Sequence, residues 1–200
     1  TGNGTLTITI NGVNDTPLLT APTSASYTDT SATDTFSNTT GTLSASDRDT
    51  GDTLTYGINT GTGGSTLIGG VTYDISKAGT YGTLYVVSTG VDKGKYVYVP
   101  NASAINALTL NATDTFTVSS SDGSLSDTKT FTVNITGVND TPNAADKTIT
   151  INEDTPTLLS VSDFGFSDVD TNDTLASVTI TSIASDGVLE YDNNGTWTAV

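Results

Sequence analysis

The sequence contains no cysteine and no histidine, and its 6 basic residues are outnumbered by 22 acidic ones. Without cysteine, a small extracellular domain has no disulfides and needs another clamp, such as a metal ion or its neighbours. Without histidine, the Ser-His-Asp and Cys-His catalytic units are excluded. A net charge of −16 argues against nucleic acid and anionic membranes as partners, and no apolar run is long enough to insert into a bilayer. These absences predict a protein that is not an enzyme and that binds neither nucleic acid nor membrane.

The abundant residues favour β-structure. Thr, Val, Ile and Tyr alternate with other residues in short runs, and Gly and Asp cluster between the runs. Such regular alternation also argues against a disordered chain. The pattern predicts an all-β fold of two-sheet sandwich modules with Greek-key connections. Strands are predicted near residues 25–28, 42–46, 53–58, 71–75, 82–87, 95–99, 114–120 and 128–136, turns at 49–52, 61–64, 92–95, 120–123 and 192–195, and a loop or single helical turn within 102–110.

Two stretches of the sequence are nearly the same. Residues 8–17 read ITINGVNDTP and residues 133–142 read VNITGVNDTP, each a strand pattern that ends in Asn-Asp-Thr-Pro. Proline cannot donate a backbone hydrogen bond to a sheet and has a fixed φ, so it ends the strand and stiffens the segment that leaves the module. Residues 43–55 and 164–176, which are rich in aspartate, also align downstream of the two stretches. The duplication predicts tandem modules.

The repeat divides the chain into three segments. Residues 1–17 are interpreted as the C-terminal strand of a preceding module, residues 18–141 as a complete module, and residues 142–200 as the N-terminal part of the next module. The third segment lacks counterparts of the last two predicted strands and should expose an edge strand. Residues 1–13 have the pattern of the missing strand, so a neighbouring copy of the chain could supply this strand to the third segment. Self-association of the chain is therefore kept as a possible outcome.

We call Asn14-Asp15 and Asn139-Asp140, between consecutive modules, the first and second hinge. Acidic residues follow each hinge, as DRDTGD at 47–52 and as DVDTND at 168–173. Asp122 precedes the final strand of the complete module and is predicted to lie near its exit, whereas Asp29 aligns with Asp154 near the start of the module. Carboxylate and amide oxygens, with no nitrogen or sulfur ligand, match Ca²⁺. The alternative is a set of Asx-turns in solvent. The predicted calcium ligands are Asn14, Asp15, Asp29, Asp47, Asp49, Asp122, Asn139, Asp140, Asp168 and Asp170.

Three stretches carry a resemblance to a known family. DTFTVSSSDG…TKTFTVNITGVNDTP (114–142), GTL…GKYVYVP (82–100) and INEDTP…FSDVDTNDTL (151–175) resemble the VCBS and cadherin-like repeats of large, RTX-type bacterial surface adhesins. The resemblance implies Ig-like or cadherin-like sandwiches, with calcium at the module junctions. It also implies secretion to the bacterial cell surface and service as extenders in adhesion and biofilm formation. The implied partners are neighbouring repeats of the same chain.

Two other functions are kept as alternatives. The first is a module that binds cell-surface glycans or proteins, with Tyr81, Tyr85, Tyr96 and Tyr98 as a stacking surface. The period of two places Tyr96 and Tyr98 on one face of a strand, so packing in the core is the competing interpretation. The second is a surface-filament subunit that assembles by strand complementation. A glycosidase is disfavoured, because the paired acids recur once per module as structural hinges do.

Overall fold

The computed structural model describes residues 2–183 and 185–200. Strands account for 38% of the chain and helices for 4%, which confirms the predicted all-β class. The chain forms two compact units, Thr1–Thr141 with Val169–Thr171, and Pro142–Asp168 with Asn172–Val200. No helix in the described residues has the length and apolar character of a membrane span.

The first unit contains two extended sheets. One sheet has the order β2-β11-β10-β5, the other has the order β3-β9-β8-β7-β6, and β1 pairs with β4. Neighbouring strands are antiparallel except for β2 and β11, which run parallel, with Thr28 opposite Thr136. The bounds are β1 Leu18–Leu19, β2 Ala25–Thr28, β3 Thr39–Thr42, β4 Ala45–Ser46, β5 Thr55–Ile58, β6 Thr62–Ile68, β7 Val71–Ala78, β8 Gly82–Val86, β9 Lys95–Pro100, β10 Ala112–Ser121 and β11 Ser126–Thr136, with the helical turn α1 Ala102–Ile105 before β10.

Aromatic side chains fill the space between the two sheets. Tyr98 of β9 is fully buried, and its ring centroid lies 5.9 Å from that of Phe116 on β10 and 6.4 Å from that of Phe131 on β11. Alternate residues of β11 complete this core, because successive side chains of a strand point to opposite faces. The packing confirms a β-sandwich. It also places Tyr96 and Tyr98 in the core, as the competing interpretation of these tyrosines predicts.

A buried carboxylate joins the two sheets. Asp114 on β10 is 5% exposed and accepts hydrogen bonds from the backbone N–H groups of Thr80 and Tyr81 and from the Tyr98 hydroxyl, each at 2.9 Å. Gly79 makes this approach possible, since a Cβ at that position would collide with the Asp114 carboxylate. Burial raises the pKa of Tyr98, and the bond to Asp114 raises it further, so the hydroxyl stays protonated and donates.

The predicted turn at residues 61–64 is wrong. Residues 62–64 begin β6, which pairs with β7 through a register shift between Gly63 and Thr66. The turn that joins the two strands lies at Gly69 and Gly70, whose φ values of 58° and 83° suit glycine. The four-residue signal GTGG therefore marks an irregularity in an edge strand, a position where glycine is also common.

Of two further sequence predictions, a helical turn is confirmed and an N-terminal strand is not. The helical turn at Ala102–Ile105 falls inside the segment predicted as a loop or single turn. By contrast, residues 2–16, predicted to contain a strand, are not in regular secondary structure. A strand is defined by its pairing, and this segment pairs with no other part of the described chain.

The second unit has little regular structure. Its strands are β12 Asn143–Ala144, β13 Phe166–Ser167, β14 Glu190–Asn193 and β15 Thr196–Ala199, with a 3₁₀ helix at Val161–Phe164. β12 pairs with β13, and β14 forms a hairpin with β15. The hairpin turn lies at Asn194 and Gly195, both with positive φ, which confirms the turn predicted there. Large apolar side chains are exposed in this unit.

Candidate metal sites

The first hinge is tied to two aspartate loops of the first unit. The Asn14 side-chain amide donates to Asp122 Oδ2 at 2.9 Å and to the Asp15 carbonyl at 3.2 Å. The Asp15 N–H donates to Asp49 Oδ2 at 2.6 Å, and the Asp49 N–H donates to Asp47 Oδ1 at 3.0 Å. The structure thus brings all five of these predicted ligands together.

The loop at residues 47–52 has the chemistry of a cation site. Asp47, Asp49 and Asp52 each offer one carboxylate oxygen, and these oxygens all lie within 4.8 Å of one another. Oδ2 of Asp47 is buried without a hydrogen-bond partner among the described residues. Desolvation raises the pKa of Asp52, and the charges of Asp47, Asp49 and Asp122 raise it further. A divalent cation would relieve this crowding of negative charge.

The second hinge repeats the hydrogen bonds of the first. The Asn139 side-chain amide donates to the Asp140 carbonyl at 2.8 Å, and the Asp140 N–H donates to Asp170 Oδ2 at 2.5 Å. Asp140 and Asp170 therefore pair as Asp15 and Asp49 do. Asp140 is 3% exposed and Asp170 is 5% exposed, whereas Asp15 lies at the surface.

The loop at residues 168–173 repeats the acidic cluster. One carboxylate oxygen from each of Asp168, Asp170 and Asp173 lies within 4.8 Å of the other two. Asp52 and Asp173, which stand at equivalent places, were not among the predicted ligands. The signal for both was already in the sequence, because each is the last acid of its repeated loop.

Asp29 lies at the second hinge and is almost fully buried, at 1% exposure. Its Oδ2 accepts a hydrogen bond from the Val138 N–H at 3.4 Å, and its Oδ1 has no hydrogen-bond partner among the described residues. Burial raises the pKa of Asp29 despite the bond from Val138, and the charges of Asp34 and Asp170 raise it further. Asp29 therefore offers one buried carboxylate oxygen without a hydrogen-bond partner among the described residues, in the electrostatic field of Asp170.

The predicted positions of Asp122 and Asp29 are both wrong, for one topological reason. Asp122 starts the turn between β10 and β11, and the length of β11 separates that turn from the exit at Thr136. It therefore lies beside Asn14 at the start of the module. Asp29 follows β2, whose parallel pairing with β11 carries it to the exit, where its N–H donates to the Thr136 carbonyl at 3.0 Å.

Asp154 is exposed and has a positive φ of 58°. Burial alternates along β2, with Ala25 and Tyr27 inward, and the matching apolar pair downstream is Ile149 and Ile151. Matching these apolar pairs places Asp29 opposite Glu153, but residues 149–152 form no strand, so the alignment of Asp29 with Asp154 stays a prediction.

The donor set of both sites consists of oxygen atoms, which suits a hard cation such as Ca²⁺ and is poor for transition metals. A scan against models of known protein families and a search of curated proteins returned no match to this chain.

Proposed function

We propose that this chain is a stretch of extender modules from a secreted bacterial surface adhesin, in which Ca²⁺ bound at the Asn-Asp hinges stiffens the tandem array. The observation that supports the proposal is the recurrence of one arrangement at two hinges. In each, an Asn amide donates to the carbonyl of the next Asp, whose N–H donates to the second acid of an Asp-x-Asp loop. Recurrence once per module is typical of a structural joint.

The physical basis is charge neutralisation at the hinges. Without a cation, several carboxylates face one another at each site and repel. Ca²⁺ accepts six to eight oxygen ligands and bridges them, so the peptide that carries Asn-Asp becomes fixed to the loop that carries Asp-x-Asp. The residues that would hold the ion are Asp15, Asp47, Asp49, Asp52 and Asp122 at the first hinge and Asp29, Asp140, Asp168, Asp170 and Asp173 at the second.

The alternative of a glycan-binding module has less support. Tyr96 is 6% exposed and Tyr98 is 0% exposed, so neither offers a face for stacking on a sugar. Tyr81 and Tyr85 are half-buried. Two half-buried rings make a weak platform for stacking on a sugar.

Calcium should stabilise the chain and extend it. Extracellular sites bind Ca²⁺ with a Kd of about 10⁻⁴ to 10⁻³ M. At about ten times Kd, each site adds roughly 1.4 kcal/mol to the free energy of unfolding. Two sites should raise Tm by roughly 3–10 °C over the value in EDTA. Small-angle X-ray scattering should give a larger maximum dimension in calcium than in chelator.

The matched control is Asp92→Asn, which removes a surface carboxylate that is paired with Lys95 and belongs to neither acidic cluster. Its response to calcium should equal that of the wild type, whereas Asp49→Asn should lose part of it. Identical melting curves and scattering profiles in millimolar calcium and in EDTA would refute the proposal.

A further inference from the structure

A segment without any acidic residue contacts three parts of the second hinge. It comprises residues 105–110, which read INALTL and begin at the last residue of the helical turn α1, and we call it the platform. Ile105 is fully buried in the hydrophobic core, and the Asn106 N–H donates a hydrogen bond to the Ala102 carbonyl at 2.9 Å. The platform is therefore fixed to the body of the first unit without the help of an ion.

The first contact of the platform is with the loop that carries Asp29. Asn106 is 4% exposed, its amide oxygen accepts a hydrogen bond from the Asp34 N–H, and its NH₂ group donates to the Asp34 carbonyl, each at 3.0 Å. The Asp34 carboxylate closes the loop, because it accepts a hydrogen bond from the Thr30 N–H at 2.7 Å. A buried amide that pairs with both backbone groups of one residue fixes that residue as a neighbouring strand would. The backbone that follows Asp29 is thus clamped to the platform.

The second contact is with the peptide that leads into the hinge. Gly137 lies two residues before Asn139, and a Cβ at Gly137 would come within 2.5 Å of the Leu110 carbonyl oxygen and 2.6 Å of the Leu108 carbonyl oxygen. Glycine is required here because of this close approach of two backbones. Any side chain at this position would push the hinge peptide off the platform.

The third contact is with the Asp-x-Asp loop. The Thr171 N–H donates to the Ala107 carbonyl at 3.3 Å, and Val169–Thr171 belong to the same compact unit as the platform. Thr171 directly follows Asp170, whose Oδ2 accepts the hydrogen bond from the Asp140 N–H. The platform therefore contacts chain neighbours of three acidic residues that are proposed to hold the ion.

Asp29 shows why a fixed backbone matters at this hinge. Its side chain is 1% exposed, and Oδ1 is buried with no hydrogen-bond partner in the part of the chain that the structure describes. A carboxylate oxygen that is kept from both water and donors costs free energy unless a cation is bound. A loop that could move would carry this oxygen into water, and the clamp on Asp34 prevents that movement.

We propose that the platform preorganises the second hinge for Ca²⁺, with Asn106 as a positioning residue that acts through Asp34. The inference rests on the proposed function, because it assigns a further residue to the same ion site. Asn106 is not itself a ligand; it holds the loop that carries Asp29, as the outer partners of metal sites hold the ligands. Ligands that are already in place lose less conformational freedom when the ion binds, which raises the affinity.

Asn106→Ala should weaken calcium binding at the second hinge by about 10-fold, because it releases the Asp34 backbone. Isothermal titration calorimetry in an Asp49→Asn background, which lacks a ligand of the first hinge, reports the second hinge. In an Asp29→Asn background, which lacks a ligand of the second hinge, Asn106→Ala should leave the remaining calcium affinity unchanged.

Gly137→Ala is an independent variant, since it separates the hinge peptide from the platform and keeps both hydrogen bonds of Asn106. It should also weaken the second hinge by about 10-fold. Gly64→Ala is its matched control, because a Cβ at that position meets no atom within 4 Å. This control should bind calcium like the wild type.

Ser88→Ala is the control for a loss of stability alone. It removes the hydrogen bond from the Ser88 hydroxyl to Asp74, so it should lower the urea midpoint in EDTA and leave both calcium affinities unchanged. Amide hydrogen exchange in EDTA supplies a measurement without calcium. Compared with Ser88→Ala, Asn106→Ala should exchange the Asp34 and Val138 N–H groups roughly 3–10-fold faster, as expected when one hydrogen bond that fixes the loop is lost.

The outcomes separate this inference from the proposed function. A wild-type chain that binds no calcium would overturn both. If the wild type binds calcium and Asn106→Ala and Gly137→Ala lower only the urea midpoint, as Ser88→Ala does, the platform serves the fold alone and the inference is wrong, while the proposed function stands. Equal weakening of both hinges by Asn106→Ala would also overturn the inference, because the platform contacts only the second.

Discussion

Replacing Asp114 with asparagine should lower the free energy of unfolding of the first unit by about 3–5 kcal/mol. Asp114 accepts three hydrogen bonds, from two backbone N–H groups and the Tyr98 hydroxyl, at a site closed to solvent. Asparagine keeps one acceptor oxygen and turns an NH₂ group toward the remaining donors. Because buried donors without acceptors lose their hydration with no compensation, each contributes to the cost.

Urea denaturation in EDTA, followed by the fluorescence of the buried tyrosines, measures this change without a contribution from metal. Asp92→Asn is the control for loss of one negative charge, and its effect should stay below about 0.5 kcal/mol because its salt bridge to Lys95 is at the surface. Tyr98→Phe removes only one of the three donors and should cost about 1 kcal/mol. An Asp114→Asn chain as stable as Asp92→Asn would show that the carboxylate does not hold the two sheets together.

The alternation of side chains made most of the strands of the first unit predictable. The period of two on β9, for example, placed Tyr96 and Tyr98 on one face, and both are buried. The Asn194-Gly195 turn was equally predictable, because few other residues tolerate the required φ values. Glycine was misleading at residues 61–64, since the same residue permits both a turn and an irregular edge strand.

The acidic sites were predictable as loops but not as assembled groups. Each Asp-x-Asp loop is local, and the repeat fixed its distance from the preceding hinge. The contacts of Asp122 and Asp29 depend on which strand is parallel to which, and sequence periodicity carries no information on strand direction. The parallel pairing of β2 with β11 therefore decides that Asp29 lies beside Val138 at the second hinge, and the turn between β10 and β11 places Asp122 beside Asn14.

The burial of Asp29 could likewise not be predicted from the residues that flank it in the sequence. It follows an alternating strand in a stretch of polar residues, SYTDTSA, that is typical of an exposed loop. Its exposure of 1% results from the end of β11 and the hinge packing over it. Long-range packing of this kind gives two buried aspartates in one module opposite environments, one fully hydrogen-bonded and the other with an oxygen that lacks a hydrogen-bond partner.

In the absence of calcium, Asp29→Asn should therefore raise the stability of the fold, whereas Asp114→Asn should lower it. Burial disfavours the ionised form of Asp29 and raises its pKa, and the amide keeps an oxygen for the Val138 N–H. In EDTA the variant should melt a few degrees above the wild type, because an uncompensated buried charge is removed. In calcium the order should reverse, since loss of one carboxylate ligand should weaken binding at the second hinge by roughly 10–100-fold.

Isothermal titration calorimetry of calcium into the wild type, Asp29→Asn and Asp49→Asn measures the two hinges separately. Each variant should lose one class of site and retain the other, because Asp29 lies at the second hinge and Asp49 at the first. Asp92→Asn should titrate like the wild type. If Asp29→Asn binds calcium unchanged and melts below the wild type in EDTA, its buried oxygen serves the fold and is not a ligand, and the second hinge then rests on Asp140 and the 168–173 loop alone.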